Sequence, residues 1–269
     1  MTDGPTTSAQ VPDLHVALAS GAAMPLLGFG TWQLKGADAV RATRSALEVG
    51  YRHLDTATVY GNEAEVGNAL QDSGVPRADV FITTKFPPNR AGNELTTLRA
   101  SLDLLQSEYV DLWLIHWPPS EGVGADIWEA FVAAREQKLV RDIGVSNYSV
   151  DQLDQLASAT GVTPAVNQIE WSPKLFDAGV VKEHRARGIA LEGYSGLRGG
   201  VLGHSAVADV ARRTGRTPAQ VVIRWHLQHD IITIPKSSQP DRIAANADVG
   251  GFELSDDDMA TLDSVSASP

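Results

Sequence analysis

Eight times along the chain a short apolar run is followed by a segment with helical spacing, and most of the runs end on a polar residue capable of chemistry. The runs are Leu26–Thr31, Arg52–Thr56, Val80–Thr84, Asp111–His116, Asp142–Ser146, Ala165–Ile169, Ala190–Tyr194 and Ile231–Ile234. Between them the apolar spacing predicts helices over Ala37–Val49, Glu63–Ser73, Asn93–Ser107, Asp126–Lys138, Val150–Ala159, Ala178–Arg187, Ala206–Thr214 with Pro218–His229, and Asp241–Ala247. Several runs are apolar throughout rather than alternating, as parallel strands covered on both faces require. The pattern predicts an α/β chain folded as a (β/α)8 TIM barrel, in which catalytic groups gather at the C-terminal ends of different strands. A doubly wound open sheet is the alternative. His15–Leu18 and Met24–Leu27, joined at Ser20-Gly21, predict an N-terminal β-hairpin. Phe252–Val265 predicts an extra C-terminal helix capped by Ser255, and Ser149 is the expected cap of the Val150–Ala159 helix.

The length of 269 residues is near the ~250 of one such barrel. No composition break divides the chain, so residues 14–269 are expected to form a single barrel domain behind a flexible N-terminal tail, residues 1–13. The apolar stretch 16–30 lacks a preceding basic region and is broken at Ser20-Gly21 and Met24-Pro25, which argues for the hairpin over a secretory segment. No run reaches the ~18 residues of a membrane helix. The net charge of −11 argues against nucleic acid or an anionic membrane as partner. The absence of cysteine excludes disulfides, thiolate metal sites and a cysteine nucleophile, and fits a cytoplasmic protein.

Asp55, Lys85 and His116 end the second, third and fourth runs, and Tyr60 follows Asp55 by five residues. Taken singly, Lys85 reads as a solvent-facing charge, Asp55 as a helix cap and His116 as a structural histidine. Their joint placement at three neighbouring strand ends favours chemistry. A phenol has a pKa of ~10. A lysine ammonium ~4 Å away favours the tyrosinate by ~4 kcal/mol at an effective dielectric of ~20, about three pKa units. Lys85 is therefore expected to bring Tyr60 toward the range useful to a general acid, with Asp55 orienting Lys85 and a neutral His116 hydrogen-bonding a substrate oxygen.

With these residues in view, the chain resembles the aldo-keto reductase family, in particular bacterial members like 2,5-diketo-D-gluconate reductase. The matching segments include Gly28-Phe29-Gly30-Thr31-Trp32, His53-Leu54-Asp55-Thr56-Ala57 with Tyr60-Gly61-Asn62-Glu63, Leu114-Ile115-His116-Trp117-Pro118, Ile143-Gly144-Val145-Ser146-Asn147, Asn167-Gln168-Ile169-Glu170 and Ile234-Pro235-Lys236-Ser237. The resemblance covers most of residues 14 to 265. It implies a (β/α)8 barrel, NADPH-dependent reduction of aldehydes and ketones, and a tetrad on Asp55, Tyr60, Lys85 and His116. It also implies that Ser146, Asn147 and Gln168 hold the nicotinamide carboxamide and that Tyr194 stacks on the ring. Ser195, Leu197 and Arg198 then border the cofactor, Lys236, Ser237, Ser238 and Arg242 surround the adenosine 2′-phosphate, and Asn246 reaches the adenine. Local cations suit a dianionic phosphate on an otherwise acidic protein.

After Tyr194-Ser195 the family often carries Pro-Leu-Gly, whereas this chain reads Gly196-Leu197-Arg198-Gly199-Gly200. Arg198 is expected to close over the cofactor. The last helix is followed by only a short stretch, without the long tail that lines the pocket in many relatives. That predicts an open pocket walled by Trp32, Phe86 and Trp117, and broad small-to-medium carbonyl substrates. The chain is expected to act as a monomer. Three other motifs lead nowhere. Gly28-Phe29-Gly30 is followed by Gln33 where a dinucleotide fingerprint needs glycine, Gly199-Gly200 lacks the Lys-Ser/Thr of a phosphate loop, and His226 and His229 have no third ligand nearby, so no metal is expected. Two rival readings are an NADPH-binding sensor or scaffold without activity, and an aldolase forming a Schiff base on Lys85.

Overall fold

The computed structural model of the protein describes residues 11–267, so residues 1–10 of the expected tail lie outside the described residues. Strands β1 (His15–Ala17) and β2 (Ala23–Pro25) pair antiparallel as the expected hairpin. Ser20 at its turn donates a 2.8 Å hydrogen bond to Asp142, near the start of a barrel strand. The hairpin therefore closes the end of the barrel opposite the strand C-termini.

Eight parallel strands follow in chain order: β3 (Phe29–Gly30), β4 (His53–Asp55), β5 (Phe81–Phe86), β6 (Val110–Ile115), β7 (Val140–Ser146), β8 (Val166–Glu170), β9 (Ala190–Tyr194) and β10 (Ile232–Thr233). The ring closes between its first and last members. Leu27 bridges Thr233 in parallel, Gly28 N–H donates to the Thr233 carbonyl at 2.9 Å, and Thr233 N–H donates to Leu26 at 2.8 Å. A closed ring excludes the open-sheet alternative. The first strand is shorter than the expected Leu26–Thr31, because Leu26 and Leu27 pair with β10 on one side while Phe29 and Gly30 pair with β4 on the other. Gly28, between them, has no room for a side chain: a Cβ there would lie 2.4 Å from His53 Nδ1.

The helices are α1 (Gly36–Val49), α2 (Glu63–Ser73), α3 (Glu94–Leu105), α4 (Ala125–Glu136), α5 (Val150–Thr160), α6 (Ala178–Ala186), α7 (Ser205–Thr214), α8 (Pro218–Gln228), α9 (Pro240–Ala247) and α10 (Asp256–Asp263). Ser149 begins α5 in a capping box with Gln152, and Ser255 begins α10 in another with Asp258. The last helix thus starts about one turn later than the expected Phe252: Leu254 exchanges two backbone hydrogen bonds with the Gln228 side chain, at 2.7 and 3.0 Å, and stays outside the helix. Among the described residues no helix is long and apolar enough to cross a membrane.

Both β5 and β6 are buried along their whole length. Their outward side chains meet α4, where the Trp113 and Phe131 rings stack at 3.6 Å between centroids. Phe86 stands edge-on to both, at 5.9 and 6.1 Å. This corrects the expected place of Phe86. It belongs to the layer between barrel and helices, fully buried, and lines no pocket wall. Side chains alternate along a strand, so Lys85 facing the barrel interior sends Phe86 outward.

Candidate active site

Asp55 closes β4, Lys85 stands one residue before the end of β5, and His116 follows β6 directly. The chain after β4 makes a single tight turn, Thr58–Tyr60, stopped by Gly61 at φ 59°. Three contacts fold that turn back over the rim. Thr58 donates to the Lys85 carbonyl at 2.8 Å. The Lys35 ammonium donates to the Tyr60 carbonyl. Asn62, fully buried, donates to the carbonyls of Thr31 and Leu34 at 2.8 and 3.0 Å and accepts from Thr56 at 2.9 Å. Asn62 so joins the loops after the first two barrel strands and fixes where Tyr60 points.

The Lys85 ammonium, with no solvent exposure, donates to both oxygens of Asp55 at 2.7 Å and to the Thr56 carbonyl at 2.8 Å. All three ammonium hydrogens have an acceptor in reach. Burial alone lowers the Lys85 pKa, but the charge of Asp55, then that of Tyr60, reverses this and holds it above the ordinary lysine value. Lys85 is therefore a fixed cation and a poor amine nucleophile. Its nitrogen lies 5.1 Å from the centroid of the Tyr60 ring.

The expected acidification of Tyr60 is corrected here. Burial raises its pKa above the ordinary phenol value, Lys85 pulls it down, and Asp55 raises it again. A lone ammonium at ~5 Å would favour the tyrosinate by ~3 kcal/mol at an effective dielectric of ~20. Asp55, in contact with that ammonium through both oxygens, offsets part of this field, and burial, the largest effect, decides the sign. The phenol is consequently protonated at neutral pH, which is the form a proton donor needs. His116, edge-on to the Tyr60 ring at 5.7 Å, is pushed down to about 3 by burial and by Lys85, so it is a neutral imidazole.

Asp55, Tyr60 and His116 line a cavity of about 1140 Å³, with Lys85 buried behind Asp55. Ser146, Asn147, Gln168, Tyr194, Ser195, Leu197 and Arg198 line it too, as do Lys236, Ser237, Arg242 and Asn246. The residues contributed by β7, β8 and β9 form a connected polar set. Ser146 donates to the Gln168 carbonyl at 2.8 Å, and Asn147 donates to the His116 carbonyl at 3.1 Å and accepts from the Tyr194 hydroxyl at 2.8 Å. Gln168 reaches across the barrel and donates to Asp55 at 2.8 Å. Asn147 and Ser195 both have positive φ, 66° and 59°, which turns their backbone sharply at the rim. Lys236 and Arg242 are exposed and form no ion pair among the described residues. Ser238 is exposed and does not line the cavity.

Trp32 and Trp117 line the mouth and are 44% and 52% exposed. The Arg198 guanidinium sits over the Trp32 ring, 4.9 Å from its centroid, so the Gly-rich loop after β9 touches the loop after β3 across the opening. Sequence reasoning missed Lys35, whose ammonium holds the Tyr60 loop, and Glu192, a fully buried carboxyl on β9 beside Gln168. The signal for Glu192 was an acidic residue inside an otherwise apolar strand. His226 and His229 are accounted for by the Val222 carbonyl at 2.8 Å and by Asp263 at 2.8 Å.

The model of the aldo/keto reductase family matches residues 26–267. The chain is 44% identical over 254 residues to an aldo-keto reductase of Mycobacterium sp. (strain KMS), covering 93% of this chain and 92% of that protein. It is 39% identical over 251 residues to a methylglyoxal reductase of Escherichia coli (strain K12), covering 92% and 91%. Its fold superposes on the crystal structure of an aldo/keto reductase from Brucella melitensis with a TM-score of 0.91 at 40% identity, over 95% of this chain and all (100%) of that one. Sequence, fold and relatives agree, and the chain belongs to the aldo/keto reductase family, whose members are oxidoreductases acting on carbonyl compounds.

Proposed function

We propose that this protein reduces small-to-medium aldehydes and ketones to alcohols with NADPH, Tyr60 acting as the proton donor. One observation carries the reading: Asp55, Tyr60 and His116, with Lys85 bonded to Asp55 behind them, line the same cavity as the Lys236 and Arg242 cations. Residues along that cavity suit a nicotinamide dinucleotide phosphate. Buried Ser237 and Asn246 beside two unpaired cations match a phosphate and a base. The positive N-terminus of α9, opened by Pro240, adds to their potential. Ser146, Asn147 and Gln168 offer donors and acceptors for a carboxamide beside the Tyr194 ring. When bound, NADPH supplies the hydride that reaches the carbonyl carbon.

The side chains of the protein do the rest. The neutral His116 imidazole donates a hydrogen bond to the carbonyl oxygen and orients it. Tyr60 gives that oxygen its phenolic proton. Lys85 stabilises the phenolate left behind, and Asp55 keeps Lys85 charged and in place. Trp32 and Trp117 exclude water from the reacting oxygen and present apolar faces to the substrate. The activity for which the Escherichia coli relative is named, methylglyoxal reduction, fits a substrate of this size. The Schiff-base reading is disfavoured by the charged, triply hydrogen-bonded Lys85.

Steady-state loss of NADPH absorbance with a panel of aldehydes and α-dicarbonyls tests the reading. Turnover is expected with several of them, and none with NADPH alone. The Lys236 and Arg242 cations make a separate prediction. Joint replacement Lys236→Ala and Arg242→Ala is expected to raise KM for NADPH by about 10- to 100-fold, with little change for NADH. An equal effect on both cofactors would remove the 2′-phosphate from these two side chains.

A further inference from the structure

Beneath the Asp55 and Lys85 pair lies a second polar layer that the proposed chemistry does not use. His53 and Thr83 stand two residues before Asp55 and Lys85 on β4 and β5, so they face inward one layer down. His53 Nε2 is 3.2 Å from Thr83 Oγ1. Glu192 faces them from β9, with Oε1 3.8 Å from His53 Nε2. In register Glu192 lies beside Gln168 of β8 and Ile232 of β10, and Gln168 is the residue that donates to Asp55 at 2.8 Å. Glu192 has no solvent exposure, and neither carboxyl oxygen has a well-formed hydrogen bond among the described residues, although the neighbouring Gln168 side chain favours its charged form. Such a group strongly resists ionisation, and an apolar side chain would fill the same space more stably.

We propose that Glu192 is a positioning residue for the reduction: from the layer below the tetrad, its carboxyl sets the charge felt by Lys85 and Tyr60, and so the strength of Tyr60 as a proton donor. The inference rests on Tyr60 being that donor. Burial, followed by the charge of Asp55, pushes Glu192 up to about 8. The groups facing it are His53 and Asp55 from β4, Lys85 from β5, Tyr60 from the loop above, and the uncharged Gln168 and Ile232 from its neighbouring strands. His53 is held down to about 3 by burial and by Lys85, so it stays neutral and does not offset a charge on Glu192. Once ionised, Glu192 raises the pKa values of both Tyr60 and Lys85.

The sign follows. Below the Glu192 pKa its carboxyl is neutral, and Lys85 acts on Tyr60 opposed by Asp55 alone. Above it a second anion joins the cluster, and the phenol, still protonated, becomes a weaker acid. A weaker acid transfers its proton more slowly, here by roughly five- to tenfold.

The test is the pH dependence of single-turnover reduction of an aldehyde by enzyme saturated with NADPH, for the unaltered protein and for Glu192→Gln. The unaltered protein is expected to slow roughly five- to tenfold between about pH 7 and about pH 9. Glu192→Gln is expected to hold its neutral-pH rate across that range, with unchanged NADPH affinity. Should Glu192→Gln fold poorly, Glu192→Leu carries the same expectation. A flat profile for the unaltered protein overturns the proposal without any variant, and so does a variant that retains the slowing. These outcomes are distinct from failure of the reading beneath them, which would appear as no carbonyl reduction by the unaltered protein at any pH.

Discussion

Replacement of Tyr60 by phenylalanine is expected to lower carbonyl reduction by about a thousandfold or more while leaving NADPH affinity within about twofold. The change removes one hydroxyl and keeps the ring, which lies 5.7 Å edge-on from His116 and 5.1 Å from the Lys85 nitrogen. The rim geometry therefore survives, and the loss isolates the proton. NADPH binding followed by fluorescence, with turnover measured on the same preparation, separates the two. Turnover near that of the unaltered protein would mean that another group donates the proton. His116 is a weak candidate, since burial and Lys85 hold it neutral, with a pKa of about 3.

Lys85→Met is expected to act on both activity and stability. Methionine fits the stem of lysine but leaves Asp55, 2% exposed, without its cation. Breaking a buried pair by removing one partner costs about 3–5 kcal/mol, because the remaining charge is uncompensated. A urea titration at neutral pH reads this as a lower midpoint at an unchanged slope. Reduction is expected to fall by about a hundredfold or more, since the phenolate left by Tyr60 loses the charge that stabilises it. The double variant Asp55→Asn with Lys85→Met separates the two effects. With no buried charge left, it should recover most of the stability and none of the activity. Recovery of activity together with stability would make the pair a scaffold element rather than part of the chemistry.

Much of this architecture is written in local pattern. Eight alternations of apolar run and helical segment specify the ring, and the strand ends place Asp55, Lys85 and His116 side by side because neighbouring parallel strands end on the same rim. The helix caps at Ser149 and Ser255 were legible for the same reason, and the structure adds that each forms a box with the residue three further on. Ser255 also contained the correction to the last helix, since a cap marks the residue before the helix begins. Phe86 was misplaced for want of a two-residue period: an inward Lys85 requires an outward Phe86. The acidity of Tyr60 was not legible at all. It depends on how closely Asp55 shields Lys85 and on how much water reaches the phenol, and both are set by contacts between distant parts of the chain. Glu192 was hidden likewise, because its burial comes from strands on the far side of the ring.

The most direct test of the account is the fate of the transferred hydrogen. NADPH deuterated at C4 of the nicotinamide, on the face that is transferred, is supplied with an aldehyde that the protein consumes. The account predicts one deuterium on the carbinol carbon of the alcohol, one NADP+ formed per alcohol, and loss of both in Tyr60→Phe. An alcohol without deuterium, or a carbonyl substrate consumed equally well without NADPH, would contradict it.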